Sequence, residues 1–157
     1  MRNLDELNVN EGGRPVTRRP PTAAQIANFQ SHFGVVLPDD YLALLRHSNG
    51  GHPEQDSFKP KGLVEDVFWG VNRFYFLNED QDDLEGLWAA TKEWRGVLHT
   101  NIVPIGNDGG GNQLLLLFGQ DPPSVELCIH DEGMRNIHVA DSFGEFIDML
   151  TEDPDMM

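Results

Sequence analysis

The sequence predicts an α+β domain, with a central, mostly antiparallel sheet of four or more strands and helices near both ends packed against it. Three observations lead there. Thr22 with Gln25, and Ser142 with Glu145, have the spacing of capping boxes and stand before apolar residues at helical intervals. Between them lie several runs rich in aliphatic, β-branched and aromatic residues. The separators of the last four runs, GNDGGG, GQDPPS and DEGMR, are short and turn-rich, which joins neighbouring strands antiparallel.

Residues 1–21 read as an N-terminal arm, poor in large apolar side chains and ending in a basic, proline-bearing stretch, and a single domain follows over 22–157. The first helix starts at Thr22, turns Ile26, Phe29 and Phe33 to one side and stops at Gly34. A second follows at once. Pro38 suits its first turn, Asp39 and Asp40 complement its dipole, Tyr41, Leu42 and Leu45 face a core, and Asn49-Gly50-Gly51 is expected to cap its C-terminus. The run VFWGVNRFYFLN reads as strand. DDLEGLWAATKEWRG reads as helix, with Leu84, Leu87, Trp88 and Trp94 inward and Gly96 as terminator. Strands are expected at 102–105, 112–118, 125–130 and 137–140. In the third, Val125, Leu127 and Ile129 alternate with Glu126, Cys128 and His130, which marks a sheet with two unlike faces. Phe143, Phe146, Ile147 and Leu150 then give the last helix its apolar stripe.

Charge narrows the function classes. The 157 residues carry a net charge of −15, and their longest uninterrupted apolar run, Leu114 to Phe118, is far short of the roughly 20 residues of a spanning helix. The first 22 residues hold four arginines against three carboxylates, so the remaining body carries −16. Such a body repels phosphate backbones, which argues against nucleic acid and anionic membranes, and it attracts basic proteins. Acidity also simply keeps a protein in solution. The opening MRNLDELNVNEGG has carboxylates where a secretory signal places an apolar stretch, and Cys128 stands alone, so a cytoplasmic protein without a disulfide framework is expected.

The run NEDQDDLE sets Glu79, Asp80, Asp82, Asp83 and Glu85 within eight positions. An EF-hand loop starting at Asp80 needs glycine where Glu85 stands, so calcium fails. A solvated helix start and a docking surface for a basic partner remain. IGNDGGGN suggests a phosphate loop but lacks the glycine-lysine spacing, and strands on either side favour a hairpin turn. The six histidines include no HExxH and no cluster of metal-ligand spacing, and no cofactor is implied. Cys128 and His130 share a strand face, so a thiol hydrolase stands as an alternative to a small packed residue.

The order of motifs resembles the SUKH superfamily. IANFQSHFGVVLPDDYLALLRHSNGG is similar to its signature of a short helix, a glycine, Leu-Pro, an acidic residue, a tyrosine, a leucine-rich helix and Asn-Gly-Gly. PIGNDGGGNQLLL resembles its strand pair, and HVADSFGEFIDML its closing helix, so the likeness covers roughly residues 23–150. It implies an α+β fold with a central antiparallel sheet and no established catalytic activity. It also implies a relation to a fungal regulator of cell-wall assembly and to bacterial immunity partners of toxins. The residues carrying the motif, Leu37, Pro38, Tyr41, Asn49, Gly50, Gly51, Gly110, Gly111, Asn112, Phe143 and Phe146, look architectural, as caps, turns and core.

Together these readings give a non-catalytic, intracellular immunity-type protein that binds a cognate toxin or other basic protein. The acid run is its expected contact, and a regulatory interaction module is the alternative.

Overall fold

The computed structural model describes residues 1–154; the last three residues of the expected 22–157 domain lie outside that range. The first 21 residues are tied to the rest. A 3-10 turn at Leu4–Leu7 is followed by the hairpin of β1 (Asn10–Glu11) and β2 (Arg14–Pro15). Leu7 and Val9 enter the main core, and the backbones of Asn10 and His52 exchange hydrogen bonds of 2.8 and 2.7 Å. Arg18 pairs with Glu11 at 2.8 Å and stacks 4.3 Å above the Phe76 ring. Long-range packing thus supplies what the arm's composition does not.

Helix α1 (Ala23–Phe33) opens on the full capping box: the Gln25 amide donates to Thr22 Oγ1 at 3.1 Å and the Thr22 amide to Gln25 Oε1 at 2.9 Å. Gly34 closes it at φ +66°. Helix α2 (Asp39–His47) starts after Pro38 and buries Tyr41, Leu42, Leu44 and Leu45. Its end differs from the expected one. Ser48 is already extended, so Asn49-Gly50-Gly51 is not a helix cap but the crossing of two backbones. Gly50 and Gly51 have φ of +89° and +104°, Gly51 bridges to Phe74, and a Cβ on Gly51 would sit 2.8 Å from Val16.

The run expected as one strand is divided. Strand β3 (Ser57–Phe58) pairs with β4 (Trp69–Gly70), and β5 (Arg73–Phe74) leaves that pair for the main sheet. Helix α3 (Leu87–Leu98) begins after Gly86, runs through Gly96 and ends at His99, which takes the left-handed cap at φ +54°. Leu84, expected inward, lies before the helix and is 80% exposed. The reason is local: carboxylates of the acid run bind the backbone amides there and hold it in turns.

Strands β6 (Ile102–Asn107), β7 (Gln113–Leu117), β8 (Ser124–Ile129) and β9 (Arg135–Ala140) complete an antiparallel meander in the order β5-β6-β7-β8-β9. The last helix, α4 (Phe143–Met149), has its Glu145 amide capped by Ser142 Oγ at 3.1 Å. Its Glu145 carboxylate accepts the amide of Asp141 rather than that of Ser142. The observed class is α+β, as expected.

The period-two pattern sorts the strands onto two faces. Val103, Leu114, Leu116, Val125 and Leu127 point into the main core shared with α1, α2 and α4, where Phe146 meets Phe58 edge-on at 5.3 Å. Ile102, Leu115 and Cys128 point the other way into a smaller apolar cluster with Trp94, Leu98 and Leu117. Both sheet edges are occupied. Gly51 lies against Phe74 on β5, and the amides of Lys61 and Gly62 donate to Val139 and His138 on β9.

Candidate functional site

The acid run is exposed, and most of its carboxylates already have partners. Asp80 Oδ1 accepts the amides of Asp82 (2.9 Å) and Asp83 (3.2 Å), and Asp83 Oδ1 accepts that of Glu85 (3.0 Å). Glu79 takes a hydrogen bond from Gln25 at 2.6 Å, and Glu85 pairs with Arg73. The expectation of a charged first helical turn is corrected, because α3 has no acidic residue there. The run is a negative loop of hydrogen-bonded turns beside the helix start, its charge facing water.

The glycine loop between β6 and β7 does converge amides on an anion, and the anion is its own. Asp108 Oδ1 accepts the amides of Gly110 (2.8 Å) and Asn112 (3.1 Å), and Asp108 Oδ2 accepts Asn112 Nδ2 at 2.7 Å. Asn112 Oδ1 in turn holds the His130 amide and ring at 3.0 and 2.8 Å. Gly111, at φ +92°, passes so close to the His130 ring that a Cβ would stand 2.9 Å from it. Leu37, Tyr41, Phe143 and Phe146 are buried, with Tyr41 and Phe143 edge-on at 5.1 Å. Burial also pushes the Tyr41 hydroxyl far up from its ordinary pKa.

The Cys128–His130 row does not form. His130 leaves the strand in a 3-10 turn, with its ring against Asn112. Cys128 Sγ lies 4.0 Å from Met134 Sδ, and burial raises its thiol pKa. A protonated, buried thiol is a packed residue, not a poised nucleophile.

A different constellation occupies the outer sheet face. Pairing of β8 with β9 sets Glu126 opposite His138, whose Nδ1 lies 2.6 Å from Glu126 Oε2 and whose Nε2 lies 2.7 Å from Asp141 Oδ1. Lys61 Nζ reaches Asp141 and Glu145 at 2.8 Å each. Burial disfavours the charged imidazole, but the two carboxylate hydrogen bonds outweigh it and raise the His138 pKa. Hydrogen bonds from Lys61 and His138 lower that of Asp141. A ring bonded at both nitrogens to carboxylates donates twice, which is the imidazolium form. Glu126 is only 7% exposed, and Asn136 Nδ2 donates to its other oxygen at 3.2 Å. The sequence signal for Glu126 was the alternation in β8; its pairing with His138 needed the register of β9. Among the described residues no group of His, Cys, Asp and Glu could hold a metal ion, and no helix is long and apolar enough to cross a membrane.

Comparison with known proteins identifies a family. The model of the SMI1 / KNR4 family (SUKH-1) matches residues 20–149. The chain is 24% identical over 173 aligned positions to the SPbeta prophage-derived uncharacterized protein YokK of Bacillus subtilis (strain 168), covering 96% of this chain and 84% of that protein. No solved structure matches.

Proposed function

This chain belongs to the SMI1 / KNR4 family (SUKH-1), which includes toxin-immunity proteins, and from that premise we propose that it is a non-catalytic intracellular protein of the immunity type. It neutralises a basic, nuclease-like toxin by covering the toxin's active or substrate-binding surface. The observation that carries this reading is charge. Residues 23–157 bear a net −16, and Glu79, Asp80, Asp82, Asp83 and Glu85 crowd one exposed loop. A nuclease presents a positive face to bind phosphates, so a protein that occludes it gains from a negative one. Opposite fields act at long range and chiefly on encounter.

The test is stopped-flow binding to the protein encoded by the adjacent gene, with Glu79→Gln, Asp80→Asn, Asp82→Asn, Asp83→Asn and Glu85→Gln combined. Asparagine at 80 and 83 retains the oxygen that accepts the turn amides, so the loop keeps its shape. The on-rate at low salt falls by about tenfold and its salt dependence flattens, while the off-rate changes less. Unchanged on-rates remove the acid run from the reading. An adjacent-gene product that does not bind moves the assignment to the regulatory module.

A further inference from the structure

Two cavities adjoin on the outer face of the sheet, of about 310 and 470 Å³, and they share Leu117 and Glu126. The first has apolar walls, Leu98, Ile102, Leu115, Leu117 and Met134, and Glu126 is the one charged residue lining it. The second brings Asp121, Glu126 and Asp141 around a single imidazole, His138. We propose that this trough is the seat for an arginine side chain of a basic protein partner, its methylene stem along the apolar walls and its guanidinium on Glu126. The seat deepens the immunity reading and rests on it for the partner's identity.

The chemistry selects that occupant. A purely apolar anchor would strip the remaining water from the carboxylate of Glu126, whose side chain is only 9% exposed, and would supply no new bond in exchange. Each Glu126 oxygen accepts one side-chain hydrogen bond, from Asn136 or from His138, and so keeps a lone pair for a second donor. Guanidinium offers paired N–H groups in the matching plane and is less strongly hydrated than an ammonium group. The charges facing His138 are Glu126 on β8 and Asp141 after β9, both in hydrogen-bond contact, with Asp121 of the β7–β8 turn across the second cavity and Lys61 and α4's Glu145 beyond Asp141. While His138 is charged it competes with the incoming cation for Glu126; once it loses its proton the seat is more negative.

The probe is n-propylguanidinium, followed by methyl and amide NMR on the full chain at constant ionic strength, with 1-propanol as the neutral control. Expected are shifts at the Leu98, Ile102, Leu115, Leu117 and Met134 methyls, a Kd on the order of millimolar, and several-fold tighter binding once His138 has lost its proton. Glu126→Gln weakens binding at least about fivefold, and Leu117→Lys, which brings this chain's own cation to the trough, abolishes it. Thermal unfolding checks both folds, and Leu117→Lys serves alone if Glu126→Gln is unfolded. Equal binding of 1-propanol, shifts elsewhere, or indifference to both variants overturns the seat. Ac-Gly-Arg-Gly-amide binds at least as well as the bare cation; its exclusion overturns a protein source. A toxin that binds while propylguanidinium does not leaves the function and removes the seat. Propylguanidinium binding without any toxin partner does the reverse.

Discussion

The side-chain amide of Asn49 pairs with the backbone of Leu77 as a neighbouring strand would: Asn49 Nδ2 donates to the Leu77 carbonyl and the Leu77 amide donates to Asn49 Oδ1, both at 2.8 Å. The same Nδ2 reaches the Arg19 carbonyl at 2.8 Å. One side chain thereby fastens the arm and the chain beyond β5 to the end of α2. Asn49→Ala leaves buried polar groups unpaired and costs about 2–4 kcal/mol in urea unfolding. Asn49→Asp is no rescue, because it replaces the donor to two carbonyls with a carboxylate. A loss under about 0.5 kcal/mol for either variant contradicts this role.

Phe146 has no exposed surface and packs between Phe58 and Phe143, at centroid distances of 5.3 and 6.1 Å. Phe146→Ala therefore removes about 3–5 kcal/mol of stability through lost transfer energy and a cavity. Phe146→Leu loses less. Near-equal unfolding midpoints for wild type and alanine variant would show that the site collapses without penalty.

His138 makes stability depend on pH in a fixed sense. Its pKa is raised above the ordinary 6.5, so its contribution is complete below that value and disappears as pH climbs through the folded-state pKa. Asp141 and Glu145 act oppositely: hydrogen bonds, first from Lys61, lower both, so their contribution holds above the ordinary 3.8 and 4.5 and is lost on acidification. The gap in urea midpoint between wild type and His138→Gln should narrow from pH 6.5 upward. A gap that stays constant or widens there refutes the doubly bonded imidazolium.

Cys128 is read as a packed thiol, and its reactivity tests that reading. Being 1% exposed, with burial raising its pKa, it should react with iodoacetamide at least about tenfold more slowly in the folded protein than in urea. Rapid folded-state alkylation, with loss of a hydrolytic activity, would reinstate the nucleophile.

Elements whose signals are local were legible in the sequence. Thr22 and Ser142 announce their helices through hydroxyls that cap amides three residues on, and β8 announces its faces by alternation. The Asn49 motif failed for a non-local reason and Leu84 for a local one that a helical stripe hides. Asn49-Gly50-Gly51 has the composition of a helix cap, but its partners are Leu77, Arg19 and Phe74, unreachable by any short-range rule. Leu84 matched a helical stripe, yet the Asx turns of the acid run delay α3 to Leu87. The acidic loop could be named from composition alone. The Glu126–His138–Asp141 chain could not, because it depends on strand register with a shift at Val125/Glu126.

The hold of residues 51 and 62 on opposite edges of the meander bears on the order of folding. Gly51 bonds to β5, while Lys61 and Gly62 bond to β9, the other edge strand, so both holds are in place together only once all five strands have assembled. It works as a late-closing clasp, whose contacts contribute little to the rate-limiting ensemble. Gly62→Ala, whose added Cβ would stand 2.9 Å from the His138 carbonyl, should accordingly accelerate unfolding while leaving the refolding rate nearly untouched. The rate of unfolding then reports on a hold at the sheet edge made by a segment that also carries Phe58 into the core.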